Sequence, residues 1–522
     1  MWIESRDMVH ENFSTRIKTA IEDECERQSV DVELLCTALQ REDNITASPR
    51  CANPSTLTVE DVVLISQQLQ LPAHTFFERA TGNELSYETA KTRREKRSVY
   101  DGMSAELIQA ARVEDKATLD DHFSCGNGFN ATVHTVLVQS DGKIVVGGEF
   151  TSFHGRADGR TSVKRFRTLK IARLLADGSL DTTFCALSGF NSTVYALAQE
   201  PDGSLLVGGN FTSFLNNASS ITPVGKIARL TPEGRLDSTF HTGAGFDHRV
   251  YSLARDPQGN ILAGGYFSRF ETVSGDVVAD LSGIARLSPE GSVDEAFSQK
   301  MRVNNSVSAI TVQPDGRILI AGSFTEINGP RPRPLTCGRI ARINPDGALD
   351  NIFHCGRGFN QRVNAVALQS DGSVIAGGAF TQFDGYTRVE GLARLTSEGR
   401  LDVQLSHTAR FNGPVHAVQI REDDSVLVGG AFTSITKSSA SPQSTVVGKV
   451  VHLSRDGETD PQATVGMGFN FPIHALAILS NTNTILAGKF THFNGSVSSE
   501  PTFRGSFKAE HVARLNMAMG HP

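Results

Sequence analysis

This chain of 522 residues is poor in aromatic residues other than phenylalanine, with one Trp and six Tyr beside 30 Phe. Its seven Cys include no CxxC pair, which favours free thiols in a reducing compartment over a disulfide framework or a zinc site. No run reaches the ~18 apolar residues of a membrane span, and no secretory signal opens the sequence. We therefore expect a cytoplasmic protein with no membrane partner, although export without such a signal stays compatible with these features.

Charge and motifs narrow the possible functions further. The formal net charge is −7, whereas a general nucleic-acid coat protein would be basic. The sequence contains no nucleophile elbow, no P-loop, no HExxH motif and no cluster of His and Cys ligands. We expect no catalytic residues, no resident metal and no cofactor.

An internal repeat accounts for the unusual composition. The pattern V-x-x-hydrophobic, then DG, then GG-x-F-T occurs seven times, and an aliphatic residue opens each copy 17 residues before its closing Phe. The closing residues, which define the first to the seventh repeat, are Phe150, Phe211, Phe267, Phe324, Phe380, Phe432 and Phe490. A second pattern, IARL-x-x-[DE]-G-x-L-D, follows each closing Phe after a variable gap.

Each pattern predicts a β-hairpin, because β-branched flanks surround a Pro-Asp-Gly type of turn. Two hairpins make four short strands in each repeat. Seven such repeats predict an all-β fold, a seven-bladed β-propeller over residues 117–516. A β-solenoid is the alternative, but its repeats are usually shorter.

The two ends of the repeat region favour a closed ring. The seventh repeat stops at Asn516, before its LD-x-x-F strand, and an orphan copy of that strand lies at 119–123, ahead of the first repeat. In a closed propeller this N-terminal strand can complete the last blade and remove the open edge.

These motifs resemble the delta-60 repeat, a β-propeller repeat. The residues that carry the resemblance are Asp141-Gly142, Gly147-Gly148, Phe150, Ile171-Ala172-Arg173-Leu174, Asp177-Gly178, Leu180-Asp181 and Phe184, with their later copies. The resemblance implies a propeller and no single biochemical activity. Copies six and seven depart from the pattern, since Asp424 and Thr482 replace the turn glycine and His452 replaces the arginine.

Residues 1–100 lack the repeat and predict an acidic module of helices, followed by a linker or short helix at 101–116 and, after the propeller, a tail at 517–522. Residues 57–78 resemble the last helices of a lambda-repressor-like helix-turn-helix domain. Residues 1–90 carry 7 basic and 16 acidic side chains, a net charge of −9, and this sign opposes phosphate binding.

The sequence therefore predicts a non-enzymatic interaction scaffold that binds a protein or another macromolecule through its loop face. Two alternatives stay open. One is an enzyme or ligand-binding protein that uses the axial channel, and the other is a DNA-binding regulator that uses the N-terminal helices.

Spacing predicts a ring of structural ion pairs, because a three-residue turn places residue n opposite n+8. The predicted pairs are Arg173–Asp181, Arg229–Asp237, Arg286–Asp294, Arg342–Asp350, Arg394–Asp402, His452–Asp460 and, across the chain ends, Arg514–Asp120.

A second ring is predicted around the axial channel, one residue after each aliphatic opener. It consists of His134, Tyr195, Tyr251, Ser308, Asn364, His416 and His474. The same register places each of these residues opposite the second Gly of the GG pair. One hypothesis is packing over glycine between blades, and the other is that the three histidines form a polar or metal-binding patch.

The third candidate is the long loop of the first repeat, residues 151–170, with six basic residues and one acidic residue. Its candidate binding residues are Phe153, Arg156, Arg160, Lys164, Arg165, Phe166, Arg167 and Lys170. A basic loop on an acidic body can attract an acidic partner or the N-terminal module of the same chain, with the two Phe as apolar anchors. The alternative is a solvated loop without a partner.

Overall fold

The computed structural model describes residues 117–517, except for 218–219, 272–275, 329–334, 386, 437–443, 460–467, 481–482 and 498–499. The predictions for the helical module (1–100), its segment 57–78, the linker (101–116) and residues 518–522 fall outside the described residues.

Each repeat forms one main sheet of three antiparallel strands. The first strands are β3 (Val133–Val138), β9 (Val194–Gln199), β15 (Val250–Arg255), β21 (Val307–Val312), β26 (Val363–Leu368), β33 (Val415–Ile420) and β39 (Ile473–Ile478). The second strands are β4 (Ile144–Gly148), β10 (Leu205–Gly209), β16 (Ile261–Gly265), β22 (Ile318–Gly322), β27 (Val374–Gly378), β34 (Val426–Gly430) and β40 (Asn483–Gly488). The third strands are β7 (Ile171–Leu174), β13 (Ile227–Leu230), β19 (Ile284–Leu287), β25 (Ile340–Ile343), β30 (Leu392–Leu395), β37 (Val450–Leu453) and β43 (Val512–Met517).

The fourth strand of each repeat is shorter than the sequence predicts. It forms a strand at β31 (Leu401–Asp402) in the fifth repeat, and single bridges such as Leu174 to Leu180 replace it in others. In the last sheet this position is filled by β1 (Ala117–Leu119), which pairs antiparallel with β43 in the register Leu119–Leu515. The N-terminal strand therefore completes the last sheet.

The first strands contact one another in a closed ring, in which β3 touches both β9 and β39. Their side chains are mostly half-buried, as in β3, whereas every residue of β4 is buried. The ring therefore surrounds an axial space that solvent reaches, which we name the axial channel.

A second set of short strands lies at the end where the first strand of each repeat begins, and we name this end of the molecule the hairpin face. In the seventh repeat these strands join the main sheet, because β1 also pairs with β41 (His492–Val497). One strand precedes the first strand of the repeat: β2 (Gly128–Phe129), β8 (Gly189–Phe190), β14 (Gly245–Phe246), β20 (Arg302–Val303), β32 (Arg410–Phe411) and β38 (Gly468–Phe469). The others form a hairpin between the second and third strands: β5 (Ser152–Gly155) with β6 (Lys164–Arg167), β11 (Ser213–Asn216) with β12 (Ser220–Pro223), β17 (Arg269–Glu271) with β18 (Val277–Asp280), β23 (Glu326–Asn328) with β24 (Leu335–Thr336), β28 (Gln382–Phe383) with β29 (Thr387–Arg388), β35 (Ser434–Thr436) with β36 (Ser444–Val446), and β41 (His492–Val497) with β42 (Glu500–Lys508).

The opposite end carries the DG turns, and we name it the turn face. Two helices of six residues follow the fourth position of the third and fifth repeats, α1 (Glu295–Lys300) and α2 (Val403–Thr408). Among the described residues, no helix is long and apolar enough to cross a membrane.

Phenylalanines form the core beneath each hairpin sheet. In the first repeat the ring of Phe129 lies 4.3 Å from that of Phe150 and 5.0 Å from that of Phe153, and all three are buried. Val133 and Ile144 belong to the same cluster together with Ile485 and other residues of the seventh repeat. The Phe side chains thus pack neighbouring repeats together, which explains why this one aromatic residue dominates the composition.

Candidate functional site

The predicted ion pairs lie at the turn face. In the described pairs a guanidinium nitrogen lies 2.7–2.8 Å from the carboxylate: Arg173–Asp181, Arg229–Asp237, Arg286–Asp294, Arg342–Asp350, Arg394–Asp402 and Arg514–Asp120. Arg342 and Asp350 are the most buried of these, with 2% and 5% of their side chains exposed. Burial raises the pKa of Asp350, but hydrogen bonds from Ile352 N–H and Arg342 outweigh it, so the net shift is downward.

Each arginine also reaches the next repeat, and we name the whole unit the Arg–Asp clamp. Arg173 Nη1 donates to the carbonyl oxygen of Pro232 at 2.7 Å, and its guanidinium lies 4.6 Å from the ring centre of Phe184. Arg514 donates in the same way to Ala176 O and so joins the seventh repeat to the first. Each of the six arginines therefore has an aspartate carboxylate and a carbonyl oxygen of the next repeat as acceptors.

The sixth repeat departs from this pattern. His452 Nε2 lies 2.7 Å from Ser425 Oγ, and its predicted partner Asp460 falls outside the described residues. Asp424, which replaces the turn glycine, adopts a positive φ of 64° and accepts hydrogen bonds from Ser370 of the fifth repeat. The aspartate that replaces the turn glycine at position 424 thus provides a contact between the fifth and sixth repeats.

At the hairpin face, the predicted register of the channel ring is wrong by one residue. Val133 pairs with Gly148 and Thr135 with Gly147, so His134 lies between them in a β-bulge. The same shift occurs in the other repeats, for example between Val363 and Ala365. Each ring residue is therefore the unpaired residue of a bulge, a feature that commonly redirects a side chain near binding sites.

The second glycine has a different role from the predicted one. A Cβ at Gly148 would collide with the carbonyl oxygen of Thr132, and one at Gly378 with that of Arg362. Glycine is required because two backbone segments approach each other at the bulge, not because a large ring packs over it.

The bulges bring five of the seven channel residues into one row of rings. The centres of neighbouring rings lie 5.2–5.4 Å apart in the order His416, His474, His134, Tyr195 and Tyr251. All of these side chains are half-buried, as are Ser308 and Asn364, which occupy the two remaining positions. Asn364 Nδ2 donates to Val415 O at 2.8 Å, which ties its amide to the sixth repeat.

The three imidazoles do not form one metal-ligand set. In the part of the chain that the structure describes, one group of candidate metal ligands has all its ligand atoms within 4.8 Å of one another. It consists of Asp120, Asp121 and His122 and lies at the turn face. His134 instead contacts the carboxylate of Glu149, at 3.1 Å. Burial, and then the positive charges of His416, His134 and Lys489, lowers the pKa of His474 to about 3, so this imidazole is neutral at pH 7.

Three cations that the sequence analysis missed surround this row. Arg362 Nε donates to Ser308 Oγ at 3.1 Å, and its guanidinium lies 5.8 Å from the ring centre of Tyr251. A hydrogen bond to Tyr251 raises the pKa of Arg249, and Lys489 lies 5.9 Å from the ring of Phe471. Arg249 and Arg362 directly precede an aliphatic opener, and Lys489 directly follows Gly488 at the end of β40. These positions vary between repeats, and that variation was the available signal.

The basic segment of the first repeat is a hairpin and not an irregular loop, because β5 and β6 pair from Ser152–Arg167 to Gly155–Lys164. Strand β6 is an edge strand of its sheet. Lys164, Arg165 and Arg167 are exposed on it, and Arg160 is exposed in the turn before it. One hydrogen bond joins these four side chains to the described residues: Arg165 Nε donates to Ser152 Oγ at 3.3 Å.

Four of the other predicted residues of this segment have structural contacts. Phe153 was predicted as an anchor for a partner, and this is wrong because its side chain is fully buried in the core. Phe166 is half-buried and packs against the same core. Lys170 Nζ donates to Glu149 O at 2.7 Å, and Arg156 lies 4.0 Å from Asp177.

A cavity of about 450 Å³ opens between the fifth and sixth repeats at the hairpin face. Gly391 lines it, at a position where the first, second and fourth repeats carry Lys170, Lys226 and Arg339. Its polar lining includes Arg388, which is paired with Glu390 at 2.7 Å.

The described cysteines offer no reactive thiol. Cys125, Cys185, Cys337 and Cys355 are free and buried. Burial raises the pKa of Cys337 to about 12 and that of Cys355 to about 11, so both are protonated thiols at neutral pH.

Comparison with known proteins supports the architecture. A family model described as "Domain of unknown function (DUF5122) beta-propeller" matches residues 139–184, 200–240, 313–353 and 369–404. No curated protein matches the chain. Among solved structures, the WD40 β-propeller domain of Doa1 is similar at a TM-score of 0.43 and 13% identity, over 77% of this chain and 95% of that one. The repeated antiparallel sheets and the family match establish an all-β, propeller-like fold.

Proposed function

We propose that this chain is a non-enzymatic binding protein, a seven-bladed propeller that captures an acidic protein partner through its hairpin face. The observation that carries the proposal is the basic edge strand β6. Its exposed cations Lys164, Arg165 and Arg167 have no carboxylate within 4 Å among the described residues. The blade count rests on the seven main sheets and their closed ring of first strands. Images of the particle along its axis test it directly.

The edge strands of other repeats differ from β6. Strand β12 exposes Ile221, and β18 exposes Val277 and Val278, where β6 carries charges. The scaffold therefore tolerates uncharged residues at this position, and the cations of β6 are not needed to build the sheet. A concentrated positive strand on a protein of net charge −7 attracts acidic surfaces over several ångströms, and salt screens this attraction.

Other parts of the proposal come from the sequence. We infer that the repeats belong with the delta-60 type and that the N-terminal module, whose residues 1–90 carry a net charge of −9, is itself an acidic candidate for β6. Its likeness to a helix-turn-helix segment at 57–78 leaves DNA binding as a separate hypothesis, which the opposite charge disfavours.

The test is a charge-reversal double variant, Arg165→Glu with Arg167→Glu, in the full chain. Binding of a fluorescent polyglutamate peptide is measured by anisotropy at two salt concentrations, and partner capture is followed by mass spectrometry. We expect the variant to lose peptide binding and the salt dependence, with an unchanged melting temperature, since both side chains are exposed.

A matched control makes the same charge change at the turn face. Arg235 and Arg400 are exposed in Glu-Gly turns there, and Arg235→Glu with Arg400→Glu should leave peptide binding intact. Equal binding by the β6 variant and the wild type would refute the proposal, and so would equal loss in both variants.

A further inference from the structure

The row of rings at the hairpin face of the axial channel has a break. Five positions of the channel ring carry imidazole or phenol side chains, whereas the fourth and fifth repeats carry the short side chains of Ser308 and Asn364. All seven positions are bulges of the same register, so the backbone does not cause the break. The row of rings is therefore interrupted between Tyr251 and His416.

The side chain of Arg362 lies across this break. It begins in the fifth repeat, donates to Ser308 of the fourth and reaches the ring of Tyr251 in the third. After burial, its positive charge is the second cause of the lowered pKa of His416 in the sixth repeat. The Arg362 guanidinium thus faces four consecutive repeats, at the end of the axial channel that lies on the hairpin face.

This guanidinium has unused donors. Its Nε makes the one hydrogen bond described for it, and Nη1 and Nη2 make none with described residues. A second arginine, Arg249, interacts with the Tyr251 hydroxyl. Neither arginine has a carboxylate within 4 Å in the described part of the chain, and the same holds for Lys489. At the turn face, by contrast, an arginine such as Arg342 has an aspartate and a carbonyl oxygen as acceptors.

The neighbouring groups suit an anion with an organic body. His474 is neutral at pH 7, and the rings of Tyr251, Tyr195 and His134 continue the row from the break. Glu149 is the nearest acidic group to this row and contacts His134, away from the break. The break therefore combines positive charge, unused N–H donors and flat, partly apolar side walls.

We propose that this break is a binding site for a small organic anion whose carboxylate or phosphate group pairs with Arg362. Arginine binds both groups with parallel N–H donors, which makes it the residue suited to this recognition. The body of the anion lies over Ser308 and Asn364, between the rings of Tyr251 and His416. This site goes beyond the proposed capture of a protein by β6 and uses none of its residues.

Calorimetry with two probes tests the site in the full chain. Citrate represents carboxylates and pyrophosphate represents phosphates, and sodium chloride at equal ionic strength is the reference. We expect the wild type to bind one of the probes more tightly than the other, which identifies the class of ligand. Arg362→Gln should weaken this binding about tenfold or more, the value of one charged hydrogen bond.

A second variant tests the space instead of the charge. The substitutions Ser308→Tyr and Asn364→His place in the break the side chains that other repeats carry at the same bulge. They retain all three cations, and we expect them to block the probe. Because these side chains are already accommodated in neighbouring repeats, the melting temperature without probe should change little.

The two proposals fail separately. The variant Arg165→Glu with Arg167→Glu should bind citrate or pyrophosphate like the wild type. Absence of binding to the wild type up to millimolar probe overturns the anion site, as does binding that Arg362→Gln leaves unchanged. Neither result affects the role of β6. Equal weakening by the β6 variant would show general attraction to positive charge and would also overturn the site.

Discussion

The two faces of this molecule use arginine in opposite ways. At the turn face, Arg342 is buried, bonded to Asp350 and to Ser397 O, and placed over Phe353. At the hairpin face, Arg362 is exposed and has one hydrogen bond to a serine hydroxyl. The pairing with an aspartate and a carbonyl oxygen recurs in six repeats, whereas the arrangement of Arg362 belongs to one. In a repeat protein, contacts that recur build the ring, and side chains that depart from the repeat are free to bind something else.

The largest effect should come from the most buried Arg–Asp clamp. Arg342→Ala removes the closest partner of the buried Asp350 carboxylate and leaves it Arg317, which lies 3.5 Å away and is more exposed, so we expect a loss of about 3 kcal/mol in the free energy of unfolding. Urea denaturation of the full chain measures it. The same change at Arg286, whose side chain is 18% exposed, should cost clearly less. Equal losses at both sites would break the link between burial and the strength of the clamp.

A smaller effect is expected at the bulge of the hairpin face. Gly148→Ala forces a methyl group against the carbonyl of Thr132 and should cost about 2–3 kcal/mol, because the backbone has to move. Gly142 in the DG turn is the matched control. Its φ is +79° and a Cβ there meets nothing within 4 Å, so Gly142→Ala should cost only about 1 kcal/mol of strain. Thermal unfolding compares them, and an equal cost would contradict the close backbone approach at the bulge.

The smallest expected effect is on how steeply the free energy of unfolding falls with decreasing pH. His474 stays neutral in the folded chain down to a pKa of about 3, whereas an unfolded histidine is protonated near pH 6.5. The unfolded state therefore binds more protons as the pH falls from 6.5, and the free energy of unfolding decreases, by at most about 1.4 kcal/mol per pH unit for this group. His474→Gln should make this decrease less steep between pH 6.5 and 4.5. Lys489→Gln removes only a neighbouring charge and should have a weaker effect. If neither variant changes the slope of the free energy of unfolding against pH, the His474 imidazole is not shielded from water.

The sequence predicts contacts that depend on spacing within one hairpin. Arg173 and Asp181 face each other because a three-residue turn fixes the distance between them along the chain. The same reasoning fails at His134, because a bulge adds one unpaired residue without disturbing the pattern of apolar residues. It fails at Phe153 for another reason. This residue has copies at Phe214, Phe270, Phe383 and Phe493, three positions after the closing Phe, and that period was a signal for a buried strand.

Contacts across the axial channel could not be predicted in this way. Arg362 meets Ser308 and Tyr251, which lie 54 and 111 residues earlier in the chain. Only the closed ring of first strands brings these three repeats to one entrance. Local pattern determines each sheet, but the composition of the entrance depends on how the sheets are arranged around the axis.

The pairing of β1 with β43 also bears on how the protein is made. Asp120 and its partner Arg514 are separated by 394 residues, and β1 leaves the ribosome before any main sheet exists. At ~5–20 residues per second, translation supplies the partner strand on the order of 20–80 s later. During that time β1 has an unpaired edge and the growing row of sheets is open at both ends, a state in which strands of different chains can pair. The edges stay open until the last strand is released and the ring closes.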